Sequence, residues 1–361
     1  MIYEPDSHEA PSGEPWDEER VRAGIRTIVG DTEGAFDDGW PDHPQDGEAD
    51  RLRTLYWGGA GVVDALRRLS SSGLVDLRRD YRPYLERSAE APPDFDDANA
   101  ERSLWMGEVG VRLVLQRVAP STENLARLAD LIDANAEAEQ QELMWGSPGT
   151  ILAGRELGLD VSGSVEWLRA QQGADGLWTQ DLYGHQRRSI GPAHGFAGCA
   201  LALGVGDGVS DVLREHAIPE DGLINWPPVA DEPLRHGRTQ LIRTQWCHGA
   251  PGIVSTVGHW LDEDLALGGG ELTWHAGPLR KGAGLCHGTA GNGYALLVLF
   301  DLTGDEEWLA RARVFAMHAL AQVDEARAQH GRGRYTLWTG DLGTALYLAD
   351  CLAASAALPL P

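Results

Sequence analysis

A five-residue phrase with glycines three apart recurs seven times in this 361-residue chain. The copies are WGGAG (Trp57–Gly61), MGEVG (Met106–Gly110), WGSPG (Trp145–Gly149), HGFAG (His194–Gly198), HGAPG (His248–Gly252), HGTAG (His287–Gly291) and TGDLG (Thr339–Gly343). Self-similarity at a near-regular period marks a repeat architecture, and it constrains the fold more than any local motif does. The intervals between first glycines run from 39 residues (Gly107 to Gly146) to 54 (Gly195 to Gly249). Each has room for two helices of about 12–15 residues with their connections. The copies lead into apolar, small-residue segments such as GCALALGVG (Gly198–Gly206) and GNGYALLVLF (Gly291–Phe300). The segments between are amphipathic. Trp308, Ala312, Phe315 and Ala319 share one helix face after a candidate capping pair, Thr303 and Glu306. Leu125, Leu128, Ala129 and Ile132 share another after candidate caps Ser121 and Thr122. Comparable runs of alternating, β-branched strand residues are missing, apart from brief ambiguous pieces such as Leu241–Thr244.

The pattern predicts an all-α fold, an α/α toroid of seven helical hairpins with an inner ring of apolar helices and an outer ring of amphipathic ones. Closing the ring buries the edges that an open solenoid leaves to special caps. Parallel inner helices would bring all seven glycine turns to one end of the toroid. There the glycines would permit φ > 0 and close backbone approach. The helix N-termini would aim N–H groups at a common mouth suited to a developing anion. The start of the chain stands apart, with 15 acidic and 3 basic side chains in the first fifty residues. Residues 1–49 read as an acidic N-terminal tail with a short helix near Asp17–Val29, residues 1–14 being poorly ordered, and residues 50–361 as the toroid.

Two copies carry Cys-His-Gly triplets, Cys247-His248-Gly249 and Cys286-His287-Gly288, and the copy before them opens on His194. Equivalent positions on one ring would bring these side chains to one rim. Thiolate and imidazole are preferred zinc ligands, and two thiolates with one imidazole leave a fourth tetrahedral position for a reactant. Spacing does not decide between His248 and His287 as the imidazole ligand. Cys199 and Cys351 fall inside apolar helices and read as core. Four cysteines are too few for a disulfide scaffold.

The phrases WCHGAPG (Trp246–Gly252), GLCHGTAGN (Gly284–Asn292) and HGFAG resemble the lanthionine synthetase C family over about residues 50–361. That family comprises lanthipeptide cyclases and the eukaryotic LanC-like proteins that add glutathione. The resemblance implies a toroid, a Zn2+ ion held by Cys247, Cys286 and His287, and His194 as acid/base. His248 is left to position substrate or support the metal site. The implied activity is zinc-dependent thioether formation, the addition of a thiol to dehydroalanine or dehydrobutyrine in a peptide. Partners implied are a dehydrated precursor peptide, a small thiol, or a lanthipeptide dehydratase or kinase.

Peptide cysteine is the leading nucleophile of a cyclase. Glutathione or another small thiol is the alternative, and a non-catalytic zinc-stapled peptide-binding scaffold is a third reading. Lys281, the sole lysine of the chain, and Arg334 (or Arg332) stand where LanC-like proteins carry cations that bind the glutathione carboxylate. Many cyclases carry an aspartate near the third copy; here Glu142 is the nearest acid, making it a candidate acid partner. Tryptophans beside the turns (Trp57, Trp105, Trp145, Trp246, Trp338) either plug the ring or wall a substrate site. A formal net charge of −25 argues against nucleic acid and anionic membrane surfaces as partners. The lack of an 18-residue apolar run argues against membrane insertion, and the lack of a secretory-type N-terminus suggests a cytoplasmic setting.

Overall fold

Each glycine phrase starts a helix. The structure is a computed structural model that describes residues 2–46, 51–95, 101–182, 184–230 and 242–361. Among the described residues, the α-helices in chain order are α1 (Glu18–Gly34), α2 (Gly59–Ser71), α3 (Arg82–Glu90), α4 (Glu108–Val118), α5 (Thr122–Ala134), α6 (Ser147–Glu156), α7 (Ser162–Ala170), α8 (Phe196–Leu203), α9 (Val209–His216), α10 (Ala250–Val257), α11 (Glu263–Ala276), α12 (Thr289–Thr303), α13 (Glu306–His330) and α14 (Asp341–Ala353). The even-numbered helices through α14, which begin in the glycine phrases, pack in sequence, α2 on α4, α4 on α6, and so on to α14, which packs back on α2. This closes the inner ring of an α/α toroid. Helix α1 lies against α13 and α14 on the outside. No described helix is long and apolar enough to cross a membrane.

The glycine phrase has a single repeated physical cause. In all seven copies a Cβ on the second glycine would overlap the carbonyl oxygen of the residue six earlier, as at Gly61 over Leu55 and Gly291 over Leu285. The incoming loop thus crosses directly over the first turn of its own helix. Left-handed backbone is not the general reason: of the seven first glycines, Gly249 alone has positive φ, at 99°. The helix N-termini also differ from expectation. In four of the seven the first N–H donates to the crossing loop, Gly59 to Leu52, Phe196 to Ser189, Thr289 to Gly282 and Asp341 to Arg334, and that of α10 donates to Asn225 Oδ1, so these are not free to face an anion.

The opposite end of the ring is tied by arginines. Arg117 of α4 pairs with Asp64 of α2 at 3.1 Å and with Glu156 of α6. Arg155 of α6 donates to the carbonyls of Ala202 and Leu203, the latter at 2.9 Å, at the end of α8. The Arg155 bonds satisfy carbonyls at the C-terminus of α8 that have no further turn to bond them.

Three local expectations are corrected. Residues 2–12 are not a loose tail. Ile2 is buried, Glu9 N–H donates to the Pro278 carbonyl at 2.9 Å, and Ser12 N–H donates to His318 Nδ1 at 3.0 Å. The Thr303–Glu306 capping pair does not form, because α12 runs through Thr303 and Asp305 caps α13 instead. Two short antiparallel hairpins also occur, β1 (Gln180–Leu182) with β2 (His185–Arg187) and β3 (Ile218–Glu220) with β4 (Leu223–Asn225). At three residues per strand they are too short for a period-two pattern to register. Ser121 does cap α5, and the expected short helix is α1, which Asp17 caps.

Candidate metal centre and acid–base pair

The repeat frame sorts the rim into layers. Two residues before the first glycine stand Tyr56, Trp105, Met144, Ala193, Cys247, Cys286 and Trp338. All seven are buried, and several touch across the ring axis. Trp338 lies 4.4 Å from both Trp105 and Trp246 between ring centroids, and Tyr56 stacks on it at 6.2 Å. These indoles plug the ring. Trp57 and Trp145 are more open and flank Phe95, which makes them a wall rather than a plug.

Within this layer the two cysteines meet. The Sγ atoms of Cys247 and Cys286 and a ring nitrogen of His287 all lie within 4.8 Å of one another, with both cysteines buried. Backbone bonds fix the arrangement: Cys247 N–H donates to the Cys286 carbonyl at 3.1 Å, and Cys286 N–H to the Trp338 carbonyl at 2.9 Å. Gln245 Nε2 donates to the Cys247 sulfur at 2.8 Å. The Tyr56 hydroxyl hydrogen-bonds the Cys286 sulfur. Contact with Cys286 holds the Cys247 thiol well below the ordinary value against the opposing effect of burial, while the same contact and burial push Cys286 up. Ligand atoms about 2.0–2.3 Å from a tetrahedral zinc sit roughly 3.3–3.8 Å from each other, so this donor set has the right chemistry and lies within about an ångström of that spacing. Gln245 and Tyr56 were not among the residues singled out from sequence. The frame position that Tyr56 shares with both cysteines is the signal that finds it.

Glu142 and His194 form the second element. Glu142 is fully buried between the third and fourth turns, and accepts from the backbone N–H of Met144 at 3.0 Å and of Trp145 at 2.5 Å. His194 Nδ1 donates to Glu142 Oε2 at 2.7 Å. Burial alone would lower the His194 pKa, but the bond and charge of Glu142 outweigh it, and the pKa is raised. His248 lies between this pair and the sulfurs. Its ring centroid is 6.3 Å from that of His194, burial lowers its pKa, and its Nδ1 has no protein partner among the described residues.

Lys281 and Arg334 stand on the other side. With His287, Gln322, Arg327 and Arg332 they line a small cavity of about 60 Å³. Every site residue expected from the sequence therefore lies at the glycine-turn end. Arg334, however, is held by an acidic residue of the chain itself, Asp46.

Comparison with known proteins agrees with this geometry. The chain is 30% identical over 186 residues to Glutathione S-transferase LANCL1 of Danio rerio, covering 46% of this chain and 44% of that protein. It is 31% identical over 177 residues to a LanC-like protein of Arabidopsis thaliana, covering 44% of this chain and 40% of that protein. The matched stretches thus span less than half the length of either relative. Among solved structures, nisin cyclase superposes with a TM-score of 0.58 at 15% identity, covering 93% of this chain and 99% of that one. The description of lanthionine synthetase C-like proteins matches residues 52–360, nearly the whole of the toroid, and the chain belongs to that family.

Proposed function

We propose that the protein is a zinc-dependent enzyme that adds a thiol to dehydroalanine or dehydrobutyrine in a peptide, as a lanthipeptide cyclase does. The observation that carries this reading is the pair of buried sulfurs and one imidazole within 4.8 Å, with the Glu142–His194 pair nearby on the same rim. Cys247, Cys286 and His287 would hold the ion. Zinc bound there supplies acidification of an incoming thiol, whose free pKa is about 8.5.

The chain's own residues account for the rest. Attack of sulfur on the β-carbon forms one C–S bond and leaves an enolate, whose α-carbon must take a proton. His194, whose pKa Glu142 raises, is the donor; it is favoured over His248, whose pKa burial lowers. The proton lost by the thiol returns His194 to its starting state through solvent. The indole plug keeps water from the sulfurs, while Trp57, Phe95 and Trp145 offer apolar surface to a peptide. Peptide cysteine is the nucleophile of the leading reading. The cations lining the cavity beside His287 are the observation behind a second reading, in which a small acidic thiol adds instead.

Mass spectrometry of a dehydrated peptide incubated with zinc-loaded protein, with and without glutathione, tests the proposal. Loss of alkylatable peptide thiol at unchanged mass marks ring closure, and a mass gain equal to glutathione marks adduct formation. Neither product, from protein carrying stoichiometric zinc, would leave the scaffold reading.

A further inference from the structure

The cavity beside His287 is lined by four cations, Lys281, Arg327, Arg332 and Arg334. Two are already paired. Arg327 meets Asp31 of α1 at 2.9 Å. Arg334 donates from Nε to Asp46 Oδ1 at 2.8 Å and from Nη2 to the same oxygen. The Asp46–Arg334 contact is largely sheltered, with side-chain exposures of 13% and 18%. Thr339 Oγ1 adds a bond to that oxygen at 3.5 Å, and the Asp46 N–H donates to the His43 carbonyl at 2.8 Å. The acidic start of the chain is thus folded onto the arginine-rich loop before the seventh turn.

A carboxylate held by two guanidinium N–H groups is chemically the same as the carboxylate of an acidic thiol bound there. Asp46 therefore fills the place that such a group would take. A second carboxylate would have to compete for the guanidinium and sit beside a half-buried like charge. We propose that Asp46 is a specificity-determining residue: by occupying Arg334 it turns the site away from free carboxylate-bearing thiols and toward a cysteine within a peptide. This rests on the thiol-addition reading above. Lys281 and Arg332, which have no acidic partner among the described residues, act alike with or without Asp46, so a comparison of variants isolates Arg334.

The test uses the full chain loaded with zinc. Addition to one dehydroalanine peptide is measured with glutathione and with its dialkyl ester, for the native protein, Asp46→Asn, Asp46→Glu and the double variant Asp46→Asn/Arg334→Gln. Binding of S-methylglutathione, which cannot react, is measured by calorimetry in parallel, and thermal melting checks folding. The expected result is a rise of about tenfold in the acid-to-ester ratio of kcat/KM for Asp46→Asn, roughly one charge-assisted hydrogen bond, with tighter S-methylglutathione binding. The ester rate should be unchanged, Asp46→Glu should behave like the native protein, and the double variant should lose the gain. An unchanged ratio and unchanged binding in folded Asp46→Asn, or a native protein that already prefers the acid tenfold, would overturn the proposal. Absence of addition with every thiol and every variant would instead remove the thiol-addition reading and the proposal with it.

Discussion

The two ends of the toroid both bury charge, and they do so differently. At the end away from the glycine turns, Asp64 is met by Arg67, Arg68 and Arg117, and its carboxyl is held below the usual range because the three guanidinium groups together outweigh the cost of burial. At the glycine-turn end, Glu142 is met by one imidazole and two backbone N–H groups, and the sulfurs of Cys247 and Cys286 have each other, an amide and a phenol. The first arrangement is closed: every partner carries a permanent charge. The second is made of an imidazole, two thiols and uncharged donors, groups that can exchange a proton or hold a cation. Buried charge alone does not mark a reactive site; buried charge with titratable partners does.

That contrast is broken most severely at the sulfurs. Cys247→Ala or Cys286→Ala should abolish stoichiometric zinc and reduce thiol addition to the uncatalysed background, as read by elemental analysis and product mass. His194→Ala, which leaves the sulfurs intact, should retain zinc and lower kcat by about 10²–10⁴-fold. Glu142→Gln should cost less and change the pH profile. With His194 as proton donor, the rate falls as pH rises through its pKa. Glu142 raises that pKa, so the glutamine variant should move the alkaline limb to lower pH.

The other end should respond in stability and not in chemistry. Asp64→Asn removes the buried acid shared by Arg67, Arg68 and Arg117 while leaving Glu156 on Arg117, and should cost about 1.5–3 kcal/mol in chemical denaturation, with activity per folded molecule unchanged. Arg155→Met removes a charged donor from the carbonyls closing α8 and should cost about 1–2 kcal/mol by the same measurement. A large loss of specific activity in either variant would blur the division between the ends.

Much of this was legible in the sequence because a sevenfold repeat converts spacing into position. Cys247, Cys286 and Tyr56 share one frame position and meet; His194, His248 and His287 share the next. Glu142 was readable only as the nearest acid. Its bond to His194 depends on the third and fourth turns being neighbours, which the closed ring supplies. The glycines were read correctly for close approach and wrongly for handedness. A glycine chosen to let a carbonyl pass and one chosen for positive φ look the same in a sequence. Residues 1–14 read as poorly ordered because acidity and proline suggest disorder when taken alone. Arg280 and His318, which bond His8 and Ser12, lie 272 and 306 positions further on. Composition cannot register such long-range complementarity.

The most direct measurement is zinc-edge X-ray absorption on the purified protein, before and after adding a dehydrated substrate's thiol analogue. Two sulfur scatterers per zinc, rising to three with thiol and falling to one in Cys286→Ser, is the result predicted here. A sulfur count that thiol leaves unchanged, or protein that takes up no stoichiometric zinc, would contradict the assignment of Cys247, Cys286 and His287 as an open metal centre.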